Sequence, residues 1–142
     1  MHFGLGVDLM RRNAVAFIAK ASGKIAGYAV GYEVLRESED HRDLTLRAIS
    51  GTTTLDYVFE GENRVFYADT VCVDPAARRG QIAYGLAAAL IPVLRREGFT
   101  YHIGRTSVRA TAMRDLFAKL GFEELPVRDA AFPDRTYWLL RV

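Results

Sequence analysis

The sequence predicts a mixed α/β domain, and three patterns carry that prediction. The stretch Val65 to Leu90, VFYADTVCVDPAARRGQIAYGLAAAL, changes from strand periodicity to helix periodicity across a cationic turn. A hairpin pattern precedes it between Val15 and Leu35, and a second strand-then-helix pattern follows between Thr100 and Leu120. Two final strand patterns complete the order hairpin, strand, helix, strand, helix, two strands, in which each helix follows a central strand. At 142 residues, half of them hydrophobic, the chain suits one domain, residues 1–142, with a single core.

At the start, Leu5, Leu9 and Met10 have helical spacing but are interrupted by Gly4 and Gly6, so at most a short helix is expected. Val15 to Lys20 and Ile25 to Leu35 read as strands joined at Ser22 and Gly23; in the second, Tyr28, Val30, Tyr32 and Val34 alternate with Gly27, Ala29, Gly31 and Glu33. Arg36 to Asn63 opens on the charged run Glu37, Glu39, Asp40, His41, Arg42 and Asp43 and reads as an insertion. Within it, Thr52 to Thr54 followed by Leu55, Tyr57 and Phe59 favours a strand. A connection of this length is either an extended hairpin with a wet tip or a loop that touches substrate.

In the central stretch, Val65, Tyr67, Asp69, Val71 and Val73 fall on one face and Phe66, Ala68, Thr70 and Cys72 on the other, as suits a strand packed on both sides. Asp74 and Pro75 stop it. Ile82, Leu86, Leu90 and Val93 recur at three or four residues, giving a helix from about Gly80 to Glu97 that covers one face of the sheet. Pro92 removes one of its hydrogen bonds and is expected to kink it at about 3 kcal/mol, and Gly98 to cap it.

Thr100 to Val108 is the next strand, with Tyr101, Ile103 and Arg105 on one face and His102 and Gly104 on the other. Thr106 or Ser107 is expected to cap a helix whose apolar stripe is Met113, Leu116, Phe117 and Leu120, ending at Gly121. Phe122 to Val127 and Thr136 to Val142 are the last strands, across a loop holding Asp129, Pro133 and Asp134.

A net charge of +2 with scattered arginines gives nucleic-acid binding no support. One cysteine, Cys72, cannot form an internal disulfide, which favours a reducing compartment; it reads as a buried small hydrophobe. No apolar run approaches about twenty residues and the first residues lack a signal peptide's order, so the expectation is a cytoplasmic protein without membrane contact. His2, His41 and His102 have no metal-ligand spacing with one another or with Cys72, so no metal is expected.

The junction at Arg78, Arg79 and Gly80 has a clear physical use. A helix start leaves backbone N–H groups without partners at the positive end of the macrodipole, which favours phosphate oxygens. Arg78 and Arg79 add charge, and Gly80 permits close backbone approach. Basic residues before a helix are also common as a solvated turn, so this signal by itself leaves both readings open.

The same segment resembles the acyl-CoA binding motif of the GNAT superfamily of N-acetyltransferases, R/Q-x-x-G-x-G/A preceded by V-x-P. Val73, Asp74 and Pro75 give the V-x-P, and Arg78, Arg79, Gly80, Gln81, Ile82 and Ala83 occupy the motif. Gln81 stands where the first motif glycine is expected, with Gly80 one place earlier. Downstream, Thr106 to Phe122 resembles the family's strand-to-helix segment: Leu116, Lys119, Leu120, Gly121 and Phe122 match, whereas Ala110, Met113 and Phe117 replace the habitual Asn, Ala and Tyr. The resemblance covers roughly the last four-fifths of the chain. It implies a mixed, mostly antiparallel central sheet flanked by helices, with a reduced N-terminus.

The resemblance further implies acetyl-CoA as acyl donor, its pantetheine arm along the backbone of Val71 and Val73, its pyrophosphate on amides from Arg79 to Tyr84, and Phe117 near its thiol. Transfer from a thioester to an amine needs a neutral amine, a stabilised oxyanion and a leaving thiolate. An alkylammonium of pKa about 10.4 costs near 4.6 kcal/mol to deprotonate at pH 7, so a general base is useful. Asp69, the only acid on the motif strand, is the candidate, acting directly or through a water, with Tyr67 beside it; a structural aspartate bonded to backbone is the alternative. With Phe117 in place of the family's Tyr, Tyr84, Tyr101 or water would protonate the leaving thiolate. Arg105 and Arg109 either meet the 3′-phosphate end of the donor or sit on the surface.

The expected activity is therefore acyl-CoA dependent N-acylation of a small amine or an exposed amino group, by direct attack. A catalytically degenerate relative that binds acyl-CoA as a sensor or partner module is the alternative. Relatives often pair through their C-terminal strands, so a homodimer is possible.

Overall fold

The computed structural model describes residues 14–34, 57–77, 81–129 and 131–142, apart from the side chain of Asp69. The expected N-terminal helix, most of the Arg36 to Asn63 insertion and the cationic turn Arg78, Arg79 and Gly80 lie outside the described residues.

Six strands form one sheet in the order β1-β2-β3-β4-β6-β5. They are β1 (Val15–Ala21), β2 (Lys24–Val34), β3 (Val65–Val73), β4 (Tyr101–Ser107), β5 (Glu123–Arg128) and β6 (Arg135–Arg141), with helices α1 (Ile82–Arg96) after β3 and α2 (Thr111–Lys119) after β4. Only β3 and β4 pair in parallel; the other four pairings are antiparallel. The expected mixed, mostly antiparallel sheet is therefore present. At the β1–β2 turn, Ser22 (φ 52°) and Gly23 (φ 75°) both take the left-handed conformation that a two-residue hairpin twisting with its strands requires.

The alternating residues sort as their periods predict. Tyr32, Val65, Tyr67, Tyr101, Ile103, Tyr137 and Leu139 share one core face. On the opposite face, Phe66 packs with Leu90, Leu94 and Phe99 beneath α1, and Phe117, Phe122 and Trp138 pack beneath α2. α1 is assigned without a break through Pro92, which is exposed, and ends where Gly98 (φ 85°) lets the Phe99 N–H reach back to Leu94 O at 3.0 Å.

Three expectations are corrected. Tyr57 and Phe59 belong to a short 3-10 turn, not a strand, because Glu60 N–H and the Asn63 amide both fold back onto Tyr57 O, at 3.3 and 2.8 Å. Neither Thr106 nor Ser107 caps α2: its N-cap is Ala110, without a side-chain cap, and Ser107 Oγ accepts from Arg109 N–H at 3.2 Å in the preceding turn. Cys72 is exposed. The bulge described next is the reason.

Candidate active site

β3 and β4 share three pairs, Val65↔Tyr101, Phe66↔His102 and Tyr67↔Ile103, and then part, although β3 continues to Val73 and β4 to Ser107. β3 remains tied to β2 across this stretch, but its ladder steps from Gly31↔Ala68 to Val30↔Thr70 and leaves Asp69 unopposed. An extra residue of this kind bends its strand and increases its twist. β4 stays paired with β6 from Tyr101↔Arg141 to Ser107↔Arg135. One strand bends away while its neighbour is held straight, so a fork opens between them.

The bulge also reverses the alternation beyond it. Val71 and Val73 stand opposite Ala29 and Gly27, on the face that carries Phe66 and α1. They do not share the face of Tyr67, as unbroken alternation predicts. Cys72, opposite Tyr28, correspondingly turns out of the core to the surface.

A cavity of about 330 Å³ fills the fork. Ala68, Thr70 and Val71 line it from β3, and His102, Arg105 and Thr106 from β4. Ala87 and Leu90 of α1 and Met113 and Phe117 of α2 cover it from the helical side. The lining is mostly apolar with a few polar groups, the character of a site that holds an extended, largely apolar ligand.

At one end stands the N-terminus of α1. Gly85 N–H makes the first helical bond, to Gln81 O at 3.0 Å, so the amides of Ile82, Ala83 and Tyr84 precede the helical ladder. Gln81 is in the left-handed conformation (φ 59°, ψ 24°) and its side chain caps nothing. A glycine takes that conformation without strain, which explains physically why the motif has glycine at this place. Lys119, at the end of α2, holds its Nζ 4.6 Å from the Tyr84 ring centroid, so a cation from the second motif block reaches the first turn of α1. The sequence matches Lys119 to the motif but carries no sign that it comes near the first turn of α1.

Both members of the predicted catalytic pair lie on β3. Asp69 is the bulged residue at the fork, with its side chain outside the described residues. Tyr67 is buried, its ring edge-on to Tyr32 at 5.7 Å. Phe117 is also buried, stacked with Trp138 at 5.6 Å and tilted against Phe122 at 4.9 Å.

Two features were missed. Arg105 is not a surface residue: its Nη1 donates to Asp129 Oδ2 at 2.5 Å. Asp129 is 2% exposed and also accepts from Tyr137 Oη at 3.1 Å and from the amides of Ala131 and Phe132 at 2.9 and 3.0 Å. Burial by itself would raise the Asp129 pKa, but Arg105, these amides and Tyr137 together hold it below the ordinary value. The Tyr137 hydroxyl is raised, first by burial and then by Asp129. The second missed feature is His102, buried in the cavity wall, whose pKa burial lowers to about 3.

The helix N-terminus stands where the sequence motif places the anion-binding turn, and the acetyltransferase (GNAT) family model matches residues 6–122. The chain belongs to the GNAT family. Members of the GNAT family are N-acetyltransferases that use acetyl-CoA to acetylate amino groups.

Solved structures of the same fold include the ribosomal-protein-S18-alanine N-acetyltransferase of Escherichia coli, with TM-score 0.67 and 16% identity over 100% of this chain and 77% of that one. The IAA acetyltransferase of Bacillus cereus gives TM-score 0.65 and 11% identity over 100% and 85%. A putative streptothricin acetyltransferase of Bacillus anthracis, solved with acetyl coenzyme A, gives 0.63 and 15% over 96% and 67%. No curated protein sequence matches the chain. Among the described residues, no helix is long and apolar enough to cross a membrane.

Proposed function

We propose that this GNAT protein is an acyl-CoA dependent N-acyltransferase, which transfers the acyl group, acetyl in the simplest case, to an amine by direct attack. The fork between β3 and β4 is the observation that carries this reading. Its cavity is lined by backbone-bearing β3 residues on one side and covered by both helices, a fit for a pantetheine arm lying along Val71 and Val73. The amides of Ile82, Ala83 and Tyr84, with Arg78, Arg79, Gly80 and Gln81 ahead of them, would take the pyrophosphate, and Lys119 adds charge there. Bound acetyl-CoA supplies an activated thioester.

The chain's own part is to hold and deprotonate the amine. Asp69 is the proposed base, directly or through a water, because the bulge sets its backbone where β3 leaves β4. Tyr67 lies on the adjoining β3 rung, at the last pair before the fork. The acceptor, a small amine or an exposed amino group, would approach from the sheet face opposite the helices.

Phe117 favours a second reading. It offers no hydroxyl to protonate a leaving thiolate, and its ring is packed with Trp138 and Phe122, as suits a domain that binds acyl-CoA without turnover. Titration calorimetry with CoA, together with thiol release from acetyl-CoA over a broad amine panel, separates the two. Saturable binding with thiol release supports the enzyme, and binding without release supports the sensor. In the enzyme, Asp69→Asn lowers kcat at neutral pH at least about a hundredfold while changing CoA affinity little. Equal rates would remove Asp69 from the base role.

A further inference from the structure

His102 is a buried polar group in the cavity wall whose chemistry the reading above does not use. It sits in β4 opposite Phe66 and Leu140, is 2% exposed, and stands edge-on to the rings of Phe66 at 5.6 Å and Phe122 at 5.0 Å. Among the described residues neither ring nitrogen has a hydrogen-bond partner. Burial keeps the ring neutral, with one N–H donor and one bare acceptor nitrogen. A leucine or phenylalanine would fill this apolar place without stranding two polar atoms, so the imidazole signals a polar guest.

The strand geometry indicates which end of a ligand meets it. On the helix-facing side, β3 presents Val73, Val71, Ala68 and Phe66 in order toward the closed end of the fork, and β4 presents Thr106, Gly104 and His102. A thioester laid along β3 from Val73 toward Ala68 therefore directs its acyl chain at the rung of Phe66 and His102. Ala68 and Gly104, just before that rung, have the smallest side chains. Acetyl is too short to go far past them, whereas a chain of three or four carbons continues toward the imidazole.

We propose that His102 reads the acyl group of the donor and selects chains that carry a neutral hydroxyl. A hydroxyl both donates and accepts, so it suits either imidazole tautomer, and a water takes its place when the chain is acetyl. A carboxylate is a poorer guest, because it would bring a charge into an apolar pocket against a neutral ring. The inference rests on the acyl-CoA reading and specifies the donor class of that same site.

The test is titration of the full chain with CoA, butyryl-CoA and 3-hydroxybutyryl-CoA, in the wild type and in His102→Phe. CoA without an acyl group is the reference ligand for each protein. The wild type is expected to bind the hydroxyacyl donor about tenfold more tightly than the butyryl donor, and His102→Phe to bring that ratio near one. Nitrogen-15 NMR of the wild-type imidazole is the measurement that does not depend on the variant's folding, with a shift expected on adding 3-hydroxybutyryl-CoA and not on adding butyryl-CoA. Equal affinity for the two acyl donors in the wild type, or an unchanged ratio in the variant, overturns the role of His102 while leaving CoA binding intact. Absence of CoA binding overturns this inference and the acyl-CoA reading together.

Discussion

The end of the Phe117 ring lies directly against Gly104, so closely that a β-carbon at residue 104 would overlap Cζ and Cε1 of that ring. Gly104 is buried in β4, and the Phe117 ring is wedged between it, Trp138 and Phe122. Gly104→Ala is expected to push the ring off its seat against Trp138 and to destabilise the fold by about 1–3 kcal/mol. Thermal unfolding of Gly104→Ala, Phe117→Leu and the double variant checks this. Because both substitutions act at one contact, the double variant should be more stable than the sum of the two losses. Additive losses would mean that the contact is not shared.

Gln81 occupies a backbone conformation that costs an L-residue roughly 1–2 kcal/mol relative to the right-handed region, and its side chain makes no cap to offset it. Glycine removes that strain but loses more entropy on folding, by about 0.5–1 kcal/mol. Gln81→Gly is therefore expected to be neutral to stabilising by up to about 1 kcal/mol, and to bind CoA at least as tightly as the wild type. Denaturant unfolding and titration calorimetry measure the two effects. A loss of stability would show that the Gln81 side chain contributes something the geometry does not reveal.

How much of this was legible in the sequence follows from where the signal is periodic. The helix stripes of α1 and α2 and the alternation of β4 and of β2 from Gly27 to Val34 place their residues correctly, because each of these stretches keeps one period. β3 does not, and VFYADTVCV carries no mark of its break. Ala68 and Thr70 alternate with the larger residues as an unbroken strand would have them, so nothing on the side chains announces that Asp69 is extra. The faces of Val71, Val73 and Cys72 were misassigned for that reason alone. The Asp129 network was hidden differently: its partners Arg105 and Tyr137 are distant in sequence, and only the β4–β6 register brings them opposite each other. His102 has no metal-ligand spacing in the sequence, and its burial between Phe66 and Phe122 follows from β3 and β4 pairing, which no local pattern states.

His102 also makes stability depend on pH. Its folded pKa of about 3 lies below the unfolded value of about 6.5, so the unfolded chain takes up a proton that the folded chain refuses. Stability is therefore full above pH 6.5 and falls as pH drops toward 3, by up to about 1.4 kcal/mol per pH unit. Between pH 6.5 and 5 few carboxylates titrate, since their unfolded pKa values are about 4. Urea unfolding across that window should show a slope in the wild type that His102→Phe largely removes. Equal slopes would mean that the ring is solvated.

Glu33 is buried in β2 and its carboxylate is held by Arg64, with Nε to Oε2 at 2.9 Å and Nη2 to Oε1 at 3.3 Å. Arg64 also lies over the Phe99 ring at 4.3 Å and donates to Glu97 O, so it ties β2 to the end of α1. Arg64→Met keeps much of the packing but removes the cation. The buried carboxylate then loses this partner, a defect of about 2–4 kcal/mol once the partial exposure of Arg64 is discounted. Glu33→Gln in the same background should recover part of the loss, because it removes the charge that Arg64 balanced. Thermal unfolding of the wild type and the two variants decides it, and no recovery in the double variant would mean that the Glu33 charge is not what Arg64 balances.

Asp129 joins β4, β6 and the loop before β6 through one side chain: Oδ2 takes Arg105 and Tyr137, and Oδ1 takes the amides of Ala131 and Phe132. Because its folded pKa is lowered, the stability it contributes is complete above the unfolded value near 4 and is lost as pH falls through the folded one. Asp129→Asn keeps an acceptor for some of these donors but removes the charge that balances the partly buried Arg105, and should cost about 1–3 kcal/mol. The functional consequence is more specific. Arg105 lines the cavity, and among the described residues Asp129 is the carboxylate that holds its guanidinium, so releasing it lets a mobile cation into the fork. Asp129→Asn is expected to raise the KM for an amine acceptor, through repulsion of its ammonium form, more than it changes the affinity for CoA. The comparison is a KM series from pH 7 to pH 9 with a peptide α-amino acceptor, whose pKa is about 8: if repulsion is the cause, the defect shrinks as the acceptor becomes neutral, and a defect constant across that range would assign the effect to the loop instead.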